Sequence, residues 1–171
     1  MKRDKLSDQQ CSVARSSAVL GDPWTLTLLS DCFLGVRRFE EFQQRLKLSR
    51  TTLASRLKLL EEHGILAQSQ YELKPPRFEY RLTQKGRELF PVISTLLTWG
   101  DKYYSDEAGP PIIRHHKTCG HDYQAYIACS ECGEPLELND VEARKRPQND
   151  NHPAVERGPV KRVPGENQAS R

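Results

Sequence analysis

A short polar stretch near the middle of the chain carries side chains suited to binding an anion. It combines two arginines with four hydroxyl residues and contains no acidic residue: Ser49, Arg50, Thr51, Thr52, Ser55 and Arg56. Arginine hydrogen-bonds guanine or phosphate, and hydroxyl groups make shorter contacts with base edges or phosphate. The stretch therefore favours a surface that contacts DNA, although an ordinary amphipathic helix with a solvated face would show the same pattern.

A second group of side chains, nearer the C-terminal end, is of metal-ligand type. Its members lie in two short motifs, Cys119-Gly-His121 and Cys129-Ser-Glu-Cys132-Gly133. A C-x-x-C pair followed by Gly is typical of half a zinc knuckle, in which thiolates on a tight turn meet one tetrahedral ion. The first motif is unusually short, and His115 or His116 could replace His121 as a ligand. We predict either a structural zinc site or a redox-inert turn with two spare thiols.

The sequence contains no arrangement that supports catalysis. We find no nucleophile–base pair, no phosphate-binding glycine loop and no paired carboxylates, and no acid or base accompanies the possible zinc ligands. The chain is therefore predicted not to be an enzyme.

Cys32 lies in an apolar stretch and is expected to pack in the core.

Composition and charge limit the number of domains that the chain can form and the partners that it can bind. The chain has 171 residues, of which 36% are hydrophobic, and its mean hydropathy is −0.73. This length allows one solid domain with a small annex, and the low hydrophobic share indicates that part of the chain does not fold. Residues 1–104 carry 17 Lys and Arg against 12 Asp and Glu, and this basic excess fits binding to nucleic acid.

The sequence has no apolar run long enough to cross a bilayer, and its first residues, Met1–Asp8, are polar rather than signal-like. Without an export signal, the five cysteines are expected to be thiols or metal ligands and not a disulfide framework. These features predict a cytoplasmic protein with no membrane contact.

Apolar spacing and chain breakers predict the helices that position the polar stretch. We expect a helix over Cys11–Leu20 and another over Pro23–Phe33, the latter with Asp22 as its N-cap. After Gly35, a third helix carries apolar residues at positions 39, 42 and 46.

A tight turn, Lys47-Leu48, leads into the helix that holds the polar stretch. Ser49 is its expected N-cap, a leucine stripe at positions 53, 57 and 60 is its apolar face, and Gly64 ends it. Two short helices joined so closely predict a helix-turn-helix, with a plain αα-hairpin as the alternative.

After Gly64 the pattern becomes extended. A weak strand over Leu66–Tyr71 and an alternating strand through Phe78, Tyr80 and Leu82 predict a β-hairpin, with 72–77 as a rigid turn. Lys74 and Arg77 would lie at the tip of this hairpin. A hairpin with cations at its tip directly after a helix-turn-helix is predicted to be a wing that meets phosphate or the minor groove.

The last helix, capped by Thr83 and divided or kinked at Pro91, has a wider apolar face than a small domain needs. Its apolar residues are Leu89, Val92, Ile93, Leu96, Leu97, Trp99 and Tyr103. This face either closes the core or pairs with a second subunit. We favour a homodimer, because helix-turn-helix proteins usually bind two half-sites about one helical turn apart.

Several stretches in unbroken order resemble one family, the HxlR-type winged helix-turn-helix regulators of bacteria. They are Cys11-Ser-Val-Ala-Arg15, Gly21-Asp-Pro-Trp-Thr-Leu26, Phe33-Leu-Gly-Val-Arg-Arg-Phe39, Leu48-Ser-Arg50, Ser55-Arg-Leu57, Pro75-Pro-Arg-Phe-Glu-Tyr-Arg-Leu-Thr83, Lys85-Gly86 and Trp99-Gly100. The resemblance covers about residues 11–135. It implies a dimeric transcription factor whose first and last domain helices, including Val13 and Leu20, form the dimer contact.

The same resemblance implies a role for Cys11. This residue matches a position near the dimer contact that some family members use as a redox or electrophile switch, and Arg15, one helical turn later, would favour its thiolate. A small buried cysteine is the alternative. In addition, Arg37 and Arg38 are either backbone contacts with DNA or solvated cations.

Together these features predict a mainly α fold with a small β-hairpin wing. We divide the chain into a flexible N-terminus (1–10), a winged helix-turn-helix domain (11–104), a Cys/His-rich segment (105–142) and a disordered tail (143–171). The predicted function is a sequence-specific regulator, a repressor acting as a homodimer on a double-stranded DNA operator. The alternatives are a sensor that responds to a ligand or oxidant through Cys11, and a zinc-binding interaction module.

Overall fold

The computed structural model describes residues 4–144. Within the predicted flexible N-terminus, Asp4–Ser7 forms one helical turn, α1. The predicted disordered tail, 143–171, lies outside the described residues except for its first two positions. None of the described helices is long and apolar enough to cross a membrane.

The described chain is mainly helical, with one long hairpin and one very short one. Its elements are α1 (Asp4–Ser7), α2 (Ser12–Leu20), α3 (Pro23–Phe33), α4 (Phe39–Leu46), α5 (Arg50–Glu62), β1 (Leu66–Leu73), β2 (Pro76–Leu82), α6 (Gln84–Arg87), α7 (Phe90–Tyr104), β3 (His115–His116), β4 (His121–Asp122) and a 3₁₀ turn (Leu138–Asp140). This order is that of a winged helix-turn-helix, as predicted.

The predicted helix starts are confirmed at atomic detail. Asp22 accepts a hydrogen bond from the backbone N–H of Trp24 at 3.0 Å and so caps α3. The α4–α5 turn begins at Lys47, whose left-handed φ of 52° ends α4. Ser49 then caps α5 by accepting from the N–H of Thr52 at 3.1 Å. Because each cap satisfies a backbone donor that the helix leaves free, these polar residues fix where the helices begin.

The core is built by residues of α3, α4, α5, α7 and the start of β1, together with two residues of the connections. It consists of Leu28, Leu29, Phe42, Leu48, Leu53, Leu57, Leu60, Ile65, Leu66 and Ile93. The leucine stripe of α5 is fully buried, as its spacing predicts. Ile93 is a correction to the predicted dimer contact: it is only 3% exposed and packs in the core of its own chain.

The hairpin is antiparallel and carries one irregularity. Leu66 pairs with Leu82, and the register shifts between Gln70 and Glu72. Two expectations about it are wrong. Pro76 opens β2 instead of lying in the turn, which proline tolerates as the first residue of a strand. Arg77 consequently lies within the strand and pairs with Glu72, not at the tip.

The alternation of β2 also departs from the prediction. Phe78 is 47% exposed, whereas Glu79 is 8% exposed. Glu79 accepts from Arg81 Nε at 2.6 Å, so its carboxylate has a charged partner. Tyr80 and Leu82 do pack against the core, since they lie at the end of the strand nearest the helices. Phe78, farther along the hairpin, is not among the residues that pack against the core.

The described residues divide into two units, 4–124 and 125–144. Residues 105–124 therefore fold with the helix-turn-helix, and the predicted Cys/His-rich segment 105–142 is split between the units. Within the first unit, an ion pair between Arg114 and Asp101 holds residues 105–124 against α7. In the second unit, Ala128 and Pro135 bridge across a tight turn at Cys129–Gly133.

Candidate nucleic-acid interface

The first turn of α5 is open to solvent. Ser49, Arg50, Thr51 and, one turn later, Ser55 are exposed, while Leu53 between them is fully buried. The buried leucine stripe sets the rotation of α5 about its axis, and this rotation turns the polar residues outward. The N-terminal end of a helix attracts anions, and no acidic residue occupies the first turn of α5.

Thr52 has a local role that the sequence did not predict. Its hydroxyl lies 2.9 Å from the hydroxyl of Ser49, and its N–H donates to that same oxygen. Thr52 stands where a capping box would place Glu or Gln, and its hydroxyl joins the cap instead. This contact engages the Thr52 side chain at the start of α5.

Two arginines of the interface lie on aromatic rings. Arg50 Cζ is 4.9 Å from the ring centroid of Phe39, and Arg38 Cζ is 4.6 Å from that of Tyr71. Cation–π contacts of this kind hold a guanidinium in place without neutralising it. Phe39 and Tyr71 are therefore supporting residues of the site, which the sequence pattern did not indicate.

These cations border a groove of about 720 Å³ between the helix-turn-helix and the hairpin, which we term the wing groove. Its lining includes Arg38, Arg50 and Arg77 along with Tyr71 and Phe78. Two glutamates of α4, at positions 40 and 41, also reach it. One of them is already engaged, because the Glu41 carboxylate accepts from the N–H of Arg38 at 3.1 Å.

The sequence predicts that Arg56 contacts DNA, but in the structure its side chain is engaged within the domain. Its Nη2 atom lies 3.0 Å from Asp22 Oδ2, and both side chains are largely buried, at 22% and 15% exposed. Arg56 Nε is buried without a hydrogen-bond partner in the described structure. The assignment of Arg56 to direct base contact is therefore corrected: its guanidinium is held against the start of α3.

The wing cations differ from each other. Lys74 is exposed in the turn between the strands. Arg77 Nε lies 3.2 Å from Glu72 Oε2 across the hairpin. A hydrogen bond with the Tyr71 side chain, followed by the Glu72 charge, raises the pKa of Arg77 above its usual value. Arg77 thus remains charged but shares its charge with an acidic neighbour.

The predicted dimer residues fall into two groups. Side chains of the first group are exposed: Val13, Val92, Leu96, Trp99 and Tyr103. Leu20, Leu89 and Leu97 are half-buried and pack against the core of their own chain. A shallow hollow of about 610 Å³ runs between α2 and α7, bordered by Val13, Val92 and Leu96.

The cysteines occupy distinct surroundings. Cys11 is exposed at the N-terminal end of α2. Burial, followed by the charge of Asp31, raises the pKa of Cys32 to about 12. In the first unit, Cys119 Sγ lies 3.1 Å from His116 Nδ1. In the second, the backbone N–H groups of Cys132 and Glu131 lower the pKa of Cys129.

Metal ligation stays a prediction. Among residues 4–144, no group of three or more His, Cys, Asp or Glu side chains is arranged to hold a metal ion. His121 opens the short strand β4 and is exposed, as is Cys132 in the turn of the second unit.

Comparison with known proteins identifies the family. The family model described as HxlR-like helix-turn-helix matches residues 19–108. The chain is 42% identical over 130 residues to the uncharacterized HTH-type transcriptional regulator Rv3095 of Mycobacterium tuberculosis, covering 76% of this chain and 82% of that protein. It is also 36% identical over 94 residues to the regulator YdeP of Bacillus subtilis, covering 54% and 73%.

Solved structures agree with this result. The crystal structure of the candidate transcription factor PA1607 matches with a TM-score of 0.75 at 32% identity, covering 83% of this chain and 99% of that one. The redox regulator HypR in its reduced form matches with a TM-score of 0.51 at 31% identity, covering 54% and 92%. The chain therefore belongs to the HxlR family and is a DNA-binding transcriptional regulator of the winged helix-turn-helix type.

Proposed function

We propose that the protein is a homodimeric repressor that binds an operator in double-stranded DNA through α5 and the wing. The observation that carries this proposal is the open first turn of α5, where Ser49, Arg50 and Thr51 face solvent with no acidic side chain in that turn. Such a turn can enter the major groove with its N-terminal residues against the base edges.

The contacts follow from exposure. Arg50 is the residue that reads guanine or binds phosphate, and Thr51 and Ser55 make shorter contacts with base edges. Arg77 and Arg38 of the wing groove and Lys74 in the hairpin turn bind phosphate or enter the adjacent minor groove. Arg56 and Thr52 position α5, since both side chains are engaged within the domain.

The second subunit is proposed to cover the apolar surface of α2 and α7. Val13, Val92 and Leu96 are exposed there, and Trp99 and Tyr103 extend the patch along α7. Exposed apolar side chains grouped along one surface favour a protein contact. A symmetric dimer would present two copies of α5 to successive grooves of one DNA face.

Repression is the simplest action for such a dimer. Occupying a promoter requires only the DNA and dimer surfaces described above. Activation would require an additional surface that recruits polymerase. A reporter driven by the operator should therefore be silenced when the protein is expressed.

The test begins by selecting bound fragments from the source genome and measuring affinity for the selected site. Arg50→Ala should weaken specific binding by about 1–3 kcal/mol if Arg50 contacts a base. Lys58→Ala is the matched control, because Lys58 is exposed near the other end of α5 and pairs with Glu62. Unchanged affinity in Arg50→Ala would refute the interface, and a monomer in analytical ultracentrifugation would refute the dimer.

A thiol response through Cys11 is a second proposal. Two features support it: Cys11 is exposed beside the proposed dimer surface, and the structurally similar HypR is a redox regulator. Oxidation or alkylation of Cys11 should change operator affinity in the wild type and leave Cys11→Ser unaffected. An equal response in both proteins would exclude Cys11 as the sensor.

Structural zinc is a further proposal, supported by the turn in the second unit. Gly133 donates its N–H to the carbonyl of Cys129 at 2.9 Å and adopts a φ of 80°, which closes the C-x-x-C turn. Thiolates at the two ends of such a turn are suited to a tetrahedral ion. Cys129 and Cys132 would supply two thiolate ligands to the zinc.

A further inference from the structure

A cavity of about 420 Å³ lies in the first unit, between α3, α7 and the segment that follows α7. Its walls are mainly apolar and include Phe33, Phe90, Leu97 and Ile113. The rings of Phe33 and Phe90 meet edge to face, with centroids 5.3 Å apart. The volume falls within the range of small-molecule sites, which combine apolar walls with a few polar groups.

The polar groups of the cavity carry an excess of positive charge. Arg114 and Lys117 line it together with His115, against one carboxylate, that of Asp101. Arg114 and Asp101 form an ion pair, and their side chains are 16% and 26% exposed. That pair leaves the charge of Lys117 available to a bound group.

Arg114 also retains an unused donor. Its Nε atom is buried and has no hydrogen-bond partner among the described residues. A buried donor without an acceptor is unfavourable, and such groups in native structures are usually satisfied by protein, water or a ligand. An anionic oxygen is the strongest acceptor for a guanidinium N–H.

We propose that this cavity, the α3–α7 cavity, binds a small organic anion with an aromatic body, such as an aromatic carboxylate, and that the ligand alters DNA binding. The carboxylate would accept from Arg114 Nε and Lys117. The ring would lie among Phe33, Phe90 and Leu97. An aromatic carboxylate would make both the ionic and the apolar contacts. A neutral aromatic compound would make only the apolar contacts, and a small inorganic anion would make only the ionic ones.

The position of the cavity explains why occupancy would reach the DNA. One wall belongs to α3, whose Leu28 and Leu29 share a core with the leucine stripe of α5. The other belongs to α7, which carries the proposed dimer surface. A ligand wedged between them would change the angle of α7 and with it the spacing of the two DNA-binding helices. This regulatory step rests on the proposed function, whereas the binding of the anion does not.

Binding is tested by calorimetry on the full chain with 2-naphthoate, and with 2-naphthamide as the neutral control. Naphthoate should bind once per chain, and the amide at least about tenfold more weakly, because charge-assisted hydrogen bonds are the stronger ones. Lys117→Gln should weaken naphthoate binding, whereas Lys102→Gln should leave it unchanged, since Lys102 lines only the neighbouring cavity.

Leu97→Trp fills the cavity from α7 and should abolish binding in a protein whose thermal transition remains cooperative. Equal affinity for naphthoate and naphthamide, no binding of naphthoate, or full binding by Leu97→Trp would overturn the site. Operator affinity is then measured with and without saturating naphthoate, and a change of about fivefold or more is expected from typical coupling energies. Naphthoate binding with unchanged operator affinity would overturn the regulatory step alone, and binding of naphthoate by a chain with no DNA affinity would refute the proposed function alone.

Discussion

Arg56, in the middle of α5, forms an ion pair with Asp22, the N-cap residue of α3. Its Nη2 atom is 3.0 Å from Asp22 Oδ2, while Asp22 Oδ1 accepts from the N–H of Trp24. One carboxylate therefore caps α3 and fixes the position of α5 along it. Together with the buried leucine stripe, this contact holds α5 in the position in which Arg50 and Thr51 face solvent.

Replacing Arg56 with Ala should destabilise the domain by about 1–3 kcal/mol, because a largely buried carboxylate loses its charged partner. Urea unfolding measures this loss, and Arg50→Ala, an exposed change on the same helix, should stay within about 0.5 kcal/mol of the wild type. In a double-mutant cycle, Asp22→Asn should show coupling with Arg56→Ala. An Arg56→Ala protein of unchanged stability that has lost its sequence preference would instead make Arg56 a base-contacting residue.

The helix starts were predictable because caps and apolar stripes are local. Asp22, Ser49 and Thr83 each accept from a backbone N–H two or three residues later, and sequence spacing alone indicates this. The partner of Arg56 was not predictable, since Asp22 lies far away in sequence and meets it only where α3 crosses α5. The rings beneath Arg38 and Arg50 were missed for the same reason.

The wing shows where alternation fails as a guide. Period-two spacing placed Phe78 on the same buried face as Tyr80 and Leu82, but burial depends on what lies opposite. Phe78 instead borders the open wing groove, where 47% of its surface stays exposed. The register shift between Gln70 and Glu72 further changes which residues meet across the strands.

Gly86 permits a close approach between α6 and the backbone of Ile65, the residue before β1. A Cβ at this position would lie 2.2 Å from the carbonyl oxygen of Ile65, which belongs to the backbone and cannot move away cheaply. Gly86→Ala should therefore cost about 1–3 kcal/mol in the free energy of unfolding.

Gly100→Ala is the control for that change. No atom lies within 4 Å of a Cβ added at Gly100, inside α7. Alanine there should raise stability by about 0.5–1 kcal/mol, because it lowers the entropy lost on forming the helix. An unchanged or raised urea midpoint in Gly86→Ala would contradict the close packing at Gly86.

Salt dependence tests the proposed phosphate contacts of the wing. Lys74→Ala and Arg77→Ala should each weaken binding to all DNA sequences alike and reduce the slope of log affinity against log salt by about one. Glu72→Gln should have the opposite effect on affinity, because it removes the carboxylate that competes with phosphate for Arg77. Lys58→Ala serves again as the control, and a Glu72→Gln protein that binds more weakly would place Arg77 away from the DNA.

Native mass spectrometry tests the proposed zinc. The gently purified chain should carry one zinc ion, and Cys129→Ser should lose it while keeping the helical circular dichroism of the first unit. Ser130→Ala, between the proposed thiolate ligands, is the control and should retain the ion. A wild-type chain with the mass of the apoprotein would refute the zinc proposal. The proposal of DNA binding through α5 does not depend on that result.

The thiol of Cys32 links stability to pH. Burial, assisted by the charge of Asp31, raises its pKa from 9.0 to about 12 in the folded protein. Below pH 9 the thiol is protonated in both the folded and the unfolded chain. Between pH 9 and 12 the unfolded chain releases the proton while the folded chain retains it, so ionisation favours unfolding.

The free energy of unfolding should therefore fall between pH 9 and 12 by up to about 1.4 kcal/mol per pH unit through this one group. Other groups titrate in the same range, so the measurement is the difference between the wild type and Cys32→Ala. The variant should be less stable near pH 7, where it lacks packing atoms, and the gap should narrow as the pH rises. Cys11→Ser, which alters an exposed thiol, should follow the wild-type curve. A gap that stays constant from pH 7 to 11 would mean that Cys32 ionises as readily in the folded chain as in the unfolded one.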